Sequence, residues 1–236
     1  DALLGVGSIH RIVDAVRAVE AQVKAQETAK KSLDAACKYR SFEDKNTVEL
    51  GGDRVLTTPD YAAYLKIAEG CDNRCAYCAI PYIRGGYRSR PMEELVREAK
   101  ELSALGVREL TVIAQDITRY GIDLYGKVCL TELLKELCKL DFCWVRLHYL
   151  YPELIDDELI DEIASEDKIV KYLDIPIQHI NDTILRRMNR RGTGEEIRAL
   201  FQKLRERIPG LVLRTSLITG LPGEGEAEFE ELCDFL

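Results

Sequence analysis

From Tyr61 onward the chain alternates short apolar runs with stretches of three- and four-residue apolar spacing, and this rhythm limits the possible folds more than any other feature. The strand candidates are residues 64–68, 109–114, 144–149, 172–175 and 212–218. Helical spacing falls at 92–105, 130–140, 155–165, 183–188, 195–208 and from 226 onward. Units of this kind assemble into an α/β fold, a parallel sheet covered by helices, because each crossover must return the chain before the next parallel strand can start. Five units are visible, and periodicity alone leaves open whether they form a doubly wound open sheet or part of a (β/α) barrel. In both, functional groups gather at the C-terminal ends of the strands. The places to inspect are therefore residues 69–78, Gln115 and Asp116, Tyr151 and Pro152, residues 176–179 and residues 219–224.

Residues 1–36 carry Val13, Val16, Val19 and Val23 at helical steps among charged residues, which predicts an amphipathic helix. Residues 39–60 turn polar, with Gly51, Gly52 and Pro59, and read as a linker or a lead-in hairpin. Residues 1–60 thus precede a unit spanning 61–236. The chain looks cut at both ends: it opens on Asp1, and the stripe of Phe229, Leu232, Cys233, Phe235 and Leu236 implies a partner that covers it. A net charge of -8, from 33 Lys+Arg against 41 Asp+Glu, argues against nucleic-acid binding by this segment alone. No apolar run is long enough to span a membrane and no signal peptide is visible, so a cytoplasmic location is expected.

Eight cysteines are too few and too unevenly placed for a disulfide scaffold. Three of them, Cys71, Cys75 and Cys78, follow the first strand with C-x3-C-x2-C spacing in the loop EGCDNRCAYCAIPYIRGG. Three thiolates on one short loop can wrap a compact metal centre, and soft sulfur favours zinc or an iron-sulfur cluster. Structural zinc wants a fourth ligand, and no Cys or His lies nearby. A 4Fe-4S cluster on three cysteines keeps one iron open to a small molecule. Cys129, Cys138 and Cys143, spaced by nine and five across a helix and a strand, read as buried thiols rather than a second centre.

The cysteine spacing, with the aromatic Tyr77 before the third cysteine, resembles the radical S-adenosylmethionine enzymes. The resemblance implies a partial (β/α) barrel, a 4Fe-4S cluster on Cys71, Cys75 and Cys78, and S-adenosyl-L-methionine chelated at the open iron and cleaved by one electron to a 5′-deoxyadenosyl radical. It extends through RVLTTPDYAAYLKIAEGCDNRCAYCAIPYIRGGYRSRP, VIAQDITRYG, WVRLHYLYP, KYLDIPIQHINDTILRRMNRRGT and RTSLITGLPGE to the methylthiotransferases. Within these, RLHYLYP and YLDIPIQH are most similar to the RimO-type branch, which methylthiolates the β-carbon of an aspartate in a small-subunit ribosomal protein. The alternatives are the sister branch acting on a tRNA adenosine, and a non-catalytic metal-bearing module that binds RNA or ribosome.

Such enzymes have a three-part plan: an N-terminal domain with a second 4Fe-4S cluster on three further cysteines, the radical barrel, and a small β-barrel that grips substrate. On that plan residues 1–60 are the tail of the first domain plus a linker, and 61–236 are the barrel core without its final strand. Cys37 alone cannot supply the second cluster. The chain as it stands is therefore expected to cleave S-adenosylmethionine without inserting sulfur, with an external electron donor.

By the same resemblance the cofactor contacts fall on Tyr77, Gln115, Asp116, Gln178, Arg190 and Ser216. Gln115 and Asp116 end the second strand, where a polar pair equally serves as a helix cap. Gln178, after the fourth strand, is placed for the ribose or for a neighbouring loop. Arg190, in a run with Arg186, Arg187 and Arg191, is the choice for the cofactor carboxylate, a pairing that suits a guanidinium; the others read as a solvated face. Ser216 lies before a Gly220–Glu224 turn in which glycines allow close backbone approach. Arg84, Arg88 and Arg90 either guide substrate or close the barrel. His148 and His179 read as core or rim, His10 as surface, and Trp144 as core. No residue is assigned a catalytic role.

Overall fold

The computed structural model describes residues 2–29, 39–47, 50–52 and 54–236; Cys37 lies outside them. The N-terminal part is more than a helix. Strand β1 (Ala2–Leu4) leads through a 3-10 turn into helix α1 (Ile12–Ala29), and β2 (Tyr39–Ser41) pairs parallel with β1. Three-residue strands carry too few side chains to show a period, so this pairing was invisible in the sequence. Val13, Val16 and Val23 are exposed, contrary to the buried stripe their spacing implies, while Ala15 is buried.

The core then begins with β3 (Ala62–Lys66), followed by β4 (Ala68–Glu69), α2 (Ile80–Arg84) and β5 (Arg88–Ser89). After these come α3 (Met92–Ala104), β6 (Glu109–Ile113), α4 (Ile122–Tyr125), α5 (Leu130–Cys138) and β7 (Trp144–Leu147). The chain continues through α6 (Asp157–Ser165), β8 (Ile169–Asp174), α7 (Asp182–Arg187), α8 (Gly194–Arg207), β9 (Val212–Arg214) and α9 (Glu226–Phe235). Start signals are plain at several helices: Asp156 caps α6, Asn181 caps α7, and Thr193 with Glu196 forms a capping box at α8.

Five strands form one parallel sheet in the order β3-β6-β7-β8-β9. Strand order follows chain order with no reversal. A doubly wound sheet reverses at a switch point and so covers both faces. Without that reversal, crossovers of one hand put every helix on the same face, which is the wall of a barrel.

The helix-covered face carries Leu65, Leu110, Val112, Val145, Leu147 and Leu173, all fully buried. They pack beneath Leu95 and Leu102 of α3, Leu133, Leu134 and Leu137 of α5, Ile160 and Ile163 of α6, and Leu204 of α8. Each such side chain contributes about 2 kcal/mol by leaving water. The other face is concave and mostly polar, because residues alternate sides along a strand. Trp144 points there and is 55% exposed, so it is not the core residue its apolar neighbours suggest. At the C-terminus Leu232 is buried and Phe235 lies 5.6 Å from Phe201 of α8, so part of the stripe is covered within the chain.

Of the second trio, Cys129 and Cys138 are buried as expected, but Cys143 is exposed and takes a contact from Arg108 Nη2 at 3.0 Å. His10 is exposed and faces Glu43 at 3.3 Å. Among the described residues no helix is long and apolar enough to cross a membrane.

Candidate functional site

The loop bearing Cys71, Cys75 and Cys78 leaves the sheet at the C-terminal end of β3, and its base is closed by the antiparallel pair β4-β5. Gly70 sits at φ 78, and Cys71 N donates to Gly85 O at 3.2 Å. Tyr87 ties the far side: its N–H donates to Asp72 Oδ1 at 3.1 Å and its hydroxyl to Asp116 O at 2.8 Å. Arg84 pairs with Glu69, Arg88 donates to Asn46 O, and Arg90 pairs with Glu98 at 2.7 Å. These three arginines therefore close the base of the loop onto its surroundings. They also line a cavity of about 330 Å³ beneath the N-terminal segment.

Asp116 lies three residues after β6, caps the 3-10 turn Ile117–Arg119 and is 1% exposed. One oxygen accepts from Asn73 Nδ2 at 2.9 Å, and the other from Thr118 N and the Thr118 hydroxyl. Burial raises the carboxyl above its ordinary pKa despite those hydrogen bonds. The carboxylate is thus a strut between the cysteine loop and the 3-10 turn that follows the second strand, and both oxygens are engaged. Beside it, the buried Gln115 Oε1 has no hydrogen-bond partner among the described residues.

A second wall comes from the segment after α7. Ala76 N donates to Met188 O at 2.9 Å, and Asn189 Nδ2 donates to Arg74 O at 2.9 Å. Asn189, at φ 54, makes the left-handed turn that aims the next residue inward; asparagine tolerates that conformation. Arg190 is 7% exposed, stacks 4.2 Å over the Tyr151 ring and donates from Nη2 to Pro176 O at 2.7 Å. Its Nη1 is buried with no partner among the described residues. Leaving a charged donor unmade in the interior is costly, so this atom points to a ligand.

Cys71 and Cys75 are buried, and Cys75 Sγ lies 3.5 Å from the Tyr151 hydroxyl. Burial pushes the Cys71 thiol up, and likewise the phenols of Tyr77 and Tyr151. In the sequence Tyr151 is only one of the positions after a strand; its place in the site shows in the stack with Arg190. Asn73 and Asn189 were missed, since single asparagines in loops carry no spacing signal.

The remaining strand ends complete the rim. Gln178 sits at φ 71, its N–H donates to Ser216 O at 2.9 Å, and its carbonyl accepts from Ile218 N at 2.8 Å. Among the described residues the non-glycine residues with positive φ are Arg74, Tyr149, Gln178 and Asn189, and all lie on these loops. Strained backbone gathered in one place marks a functional site. His179 is fully buried; its Nδ1 accepts from Asn181 N at 3.0 Å, and its Nε2 faces Glu224 Oε1 at 3.5 Å. Leu221 N donates to the other Glu224 oxygen, so the Gly220–Glu224 turn is pinned over the fourth strand. Arg187 reaches Pro222 O at 3.3 Å, across a Gly223 that stands at φ 88.

The sequence profile of the Radical SAM superfamily matches residues 65–236, which contain all of these loops. The chain belongs to the radical SAM superfamily. Relatives called ribosomal protein uS12 methylthiotransferase RimO are 48% identical in Clostridium tetani and 52% identical in Lachnoclostridium phytofermentans, each over 100% of this chain. The chain spans 50% and 51% of those two proteins, about half the length of the curated relatives it matches. A relative of the same name from Myxococcus xanthus is 55% identical over 78% of this chain and 38% of its own length.

Among solved radical SAM structures, the methyltransferase TsrM of Kitasatospora setae aligns with a TM-score of 0.60 at 20% identity, covering 73% of this chain and 34% of that one. Streptococcus suis SuiB aligns with a TM-score of 0.55 at 15% identity, covering 95% and 50%. Likeness at that identity shows the fold, and it agrees with the singly wound sheet.

Radical SAM membership implies a 4Fe-4S cluster and S-adenosylmethionine, and the donor set fits both. Around a single zinc ion the sulfurs would converge to about 4 Å of one another at 2.3 Å bond lengths. Among the described residues no three His, Cys, Asp or Glu side chains are grouped to hold one metal ion. Three thiols on one short loop, Cys71, Cys75 and Cys78, are soft ligands of the kind an iron-sulfur cluster takes. The unpaired Arg190 Nη1 and Gln115 Oε1 offer a donor and an acceptor for the charged methionine end of the cofactor.

Proposed function

We propose that this chain is the radical core of a methylthiotransferase that adds a methylthio group to the β-carbon of an aspartate in a small-subunit ribosomal protein. The carrying observation is the 48–52% identity over the whole chain to uS12 methylthiotransferases. Cys71, Cys75 and Cys78 would hold the cluster. When bound, cluster and S-adenosylmethionine supply a 5′-deoxyadenosyl radical able to take hydrogen from an unactivated carbon, a task far beyond any side-chain base. Arg190 Nη1 would receive the cofactor carboxylate, and Gln115 Oε1 its ammonium. Tyr77 and Tyr151 would cover the cluster side and exclude water, while Gln178, Ser216 and the pinned Gly220–Glu224 turn would border the nucleoside. Asp116 acts through the loop it braces. Residues 1–60 would be the tail of a preceding domain with its own 4Fe-4S cluster, and the parallel β1-β2 pair joined through α1 supports that reading. The protein would work in the cytoplasm with an external electron donor.

The test is anaerobic turnover of the full-length protein with ribosomal protein, S-adenosylmethionine, a sulfur source and dithionite. Release of 5′-deoxyadenosine together with a methylthio mass increment on an aspartate is expected; release without any modified protein would remove the assignment. Arg190→Met should weaken S-adenosylmethionine binding roughly 10- to 100-fold, the worth of a charged hydrogen bond. Equilibrium dialysis of iron-loaded protein reads this directly, and an unchanged affinity would take Arg190 out of the cofactor site.

A further inference from the structure

Strand register places a row of side chains across the concave face just below the cofactor rim. Lys66 of β3 pairs with Ile113 of β6, and His148 follows the Val112–Leu147 pair. Asp174 of β8 follows the Leu147–Leu173 pair, and Arg214 of β9 pairs with Asp174. Because side chains on one face recur every two residues, Gln115 and Ser216 lie on the next row up, towards the rim. A molecule held in the barrel beneath the nucleoside therefore meets this row, in which Arg214 and His148 are accessible and Asp174 is buried behind them.

The cations that face this hollow are not equivalent. Lys66 is paired with Glu69. Arg146, one row lower, is bound through Nε to Glu109 at 2.6 Å and lies 5.6 Å over the Tyr172 ring. Arg214 donates one Nη1 to Asp174 Oδ2 at 2.7 Å while its side chain stays 53% exposed. Asp174 itself is 1% exposed, and its Oδ1 has no partner among the described residues. His148 Nδ1 is 4.0 Å from the same Asp174 oxygen that holds Arg214, and burial lowers its pKa, so the imidazole adds no competing charge.

We infer that Arg214, oriented by Asp174, is the substrate-recognition residue that receives the side-chain carboxylate of the residue being modified. This rests on the proposed aspartate substrate and deepens it. A guanidinium has five donors in a planar fork, so one edge can be fixed by Asp174 while another binds a second carboxylate. The site needs such an anchor, because hydrogen abstraction requires one carbon to be held at a fixed distance and angle, and an aspartate carboxylate is bonded directly to that β-carbon. Asp174 is a positioning residue: it fixes the fork from a buried place.

The experiment uses full-length protein and two peptides spanning the modified position, one with Asp and one with Asn there. Wild type should bind the Asp peptide roughly 10- to 100-fold more tightly, the worth of a charge-assisted pair. Arg214→Met should bring that ratio close to one, and Arg214→Lys should restore part of it. The partial preference kept by Arg214→Lys, together with an unchanged Tm of Arg214→Met, separates loss of the charge pair from loss of folding. A wild type without preference, or a preference kept by Arg214→Met, overturns the inference. Preferential binding by a wild type that makes no methylthiolated product leaves the carboxylate site standing and removes the proposed function.

Discussion

Cys75→Ala is expected to abolish the bound iron and, with it, all release of 5′-deoxyadenosine above background. Cys75 is 6% exposed and sits under the Tyr151 hydroxyl at 3.5 Å, with Arg190 stacked on the same ring. On the proposed ligand set, removing it takes one of three thiols, and the other described cysteines lie elsewhere: Cys129 and Cys138 belong to the α5 segment, and Cys143 and Cys233 are exposed. Cys138→Ala is the matched control. It deletes a thiol of similar burial, 7% exposed, whose pKa is pushed up to about 12 by burial, so it behaves as a small apolar side chain. The control should lose about 1 kcal/mol of stability and keep its colour. Iron analysis and the absorbance of the reconstituted proteins read the difference. A Cys75→Ala protein with full iron content would show that these thiols are not the cluster ligands.

The sheet was legible because its strands are buried on one face and helices follow each at regular intervals. Residues 109–113 and 144–147 appear within one or two positions of the expected bounds. Strand β9 stops at Arg214 rather than at Ile218, since Thr215 turns its hydroxyl to Ile175 O and interrupts the ladder, which resumes only as a single bridge between Gln178 and Leu217. The choice between open sheet and barrel could not be read from periodicity, because both use the same units; strand order decides it, and order is a long-range property. The cysteine loop was legible from spacing alone. Its supports were not: Asn73, Tyr151 and Asn189 act through contacts with residues more than forty positions away. Trp144 misled because its apolar neighbours alternate faces, and a one-residue offset puts a side chain in the hollow instead of the core.

Gly70→Ala should be among the most destructive substitutions outside the ligands. Gly70 stands at φ 78, a region alanine enters at a cost of about 1 kcal/mol. Space is the larger problem: a Cβ there would lie 2.0 Å from Gly86 O and 2.7 Å from Gly85 O. Both are backbone atoms held by the β4-β5 pair and by the Cys71 N to Gly85 O hydrogen bond, so no flexible side chain can move aside. The hairpin must open, and the first cysteine moves with it. A loss of about 3 kcal/mol or more follows, equivalent to a fall in Tm of roughly 6–12 °C for a domain of this size. Iron loading should fall in parallel. Gly106→Ala separates the two causes, because Gly106 has φ 92 but nothing within 4 Å of its added Cβ. That control bears only the conformational cost, about 1 kcal/mol, and should load iron like wild type. Equal Tm values and equal iron content in the two variants would mean that the close approach of Gly70 to the hairpin does not set the geometry of the cysteine loop.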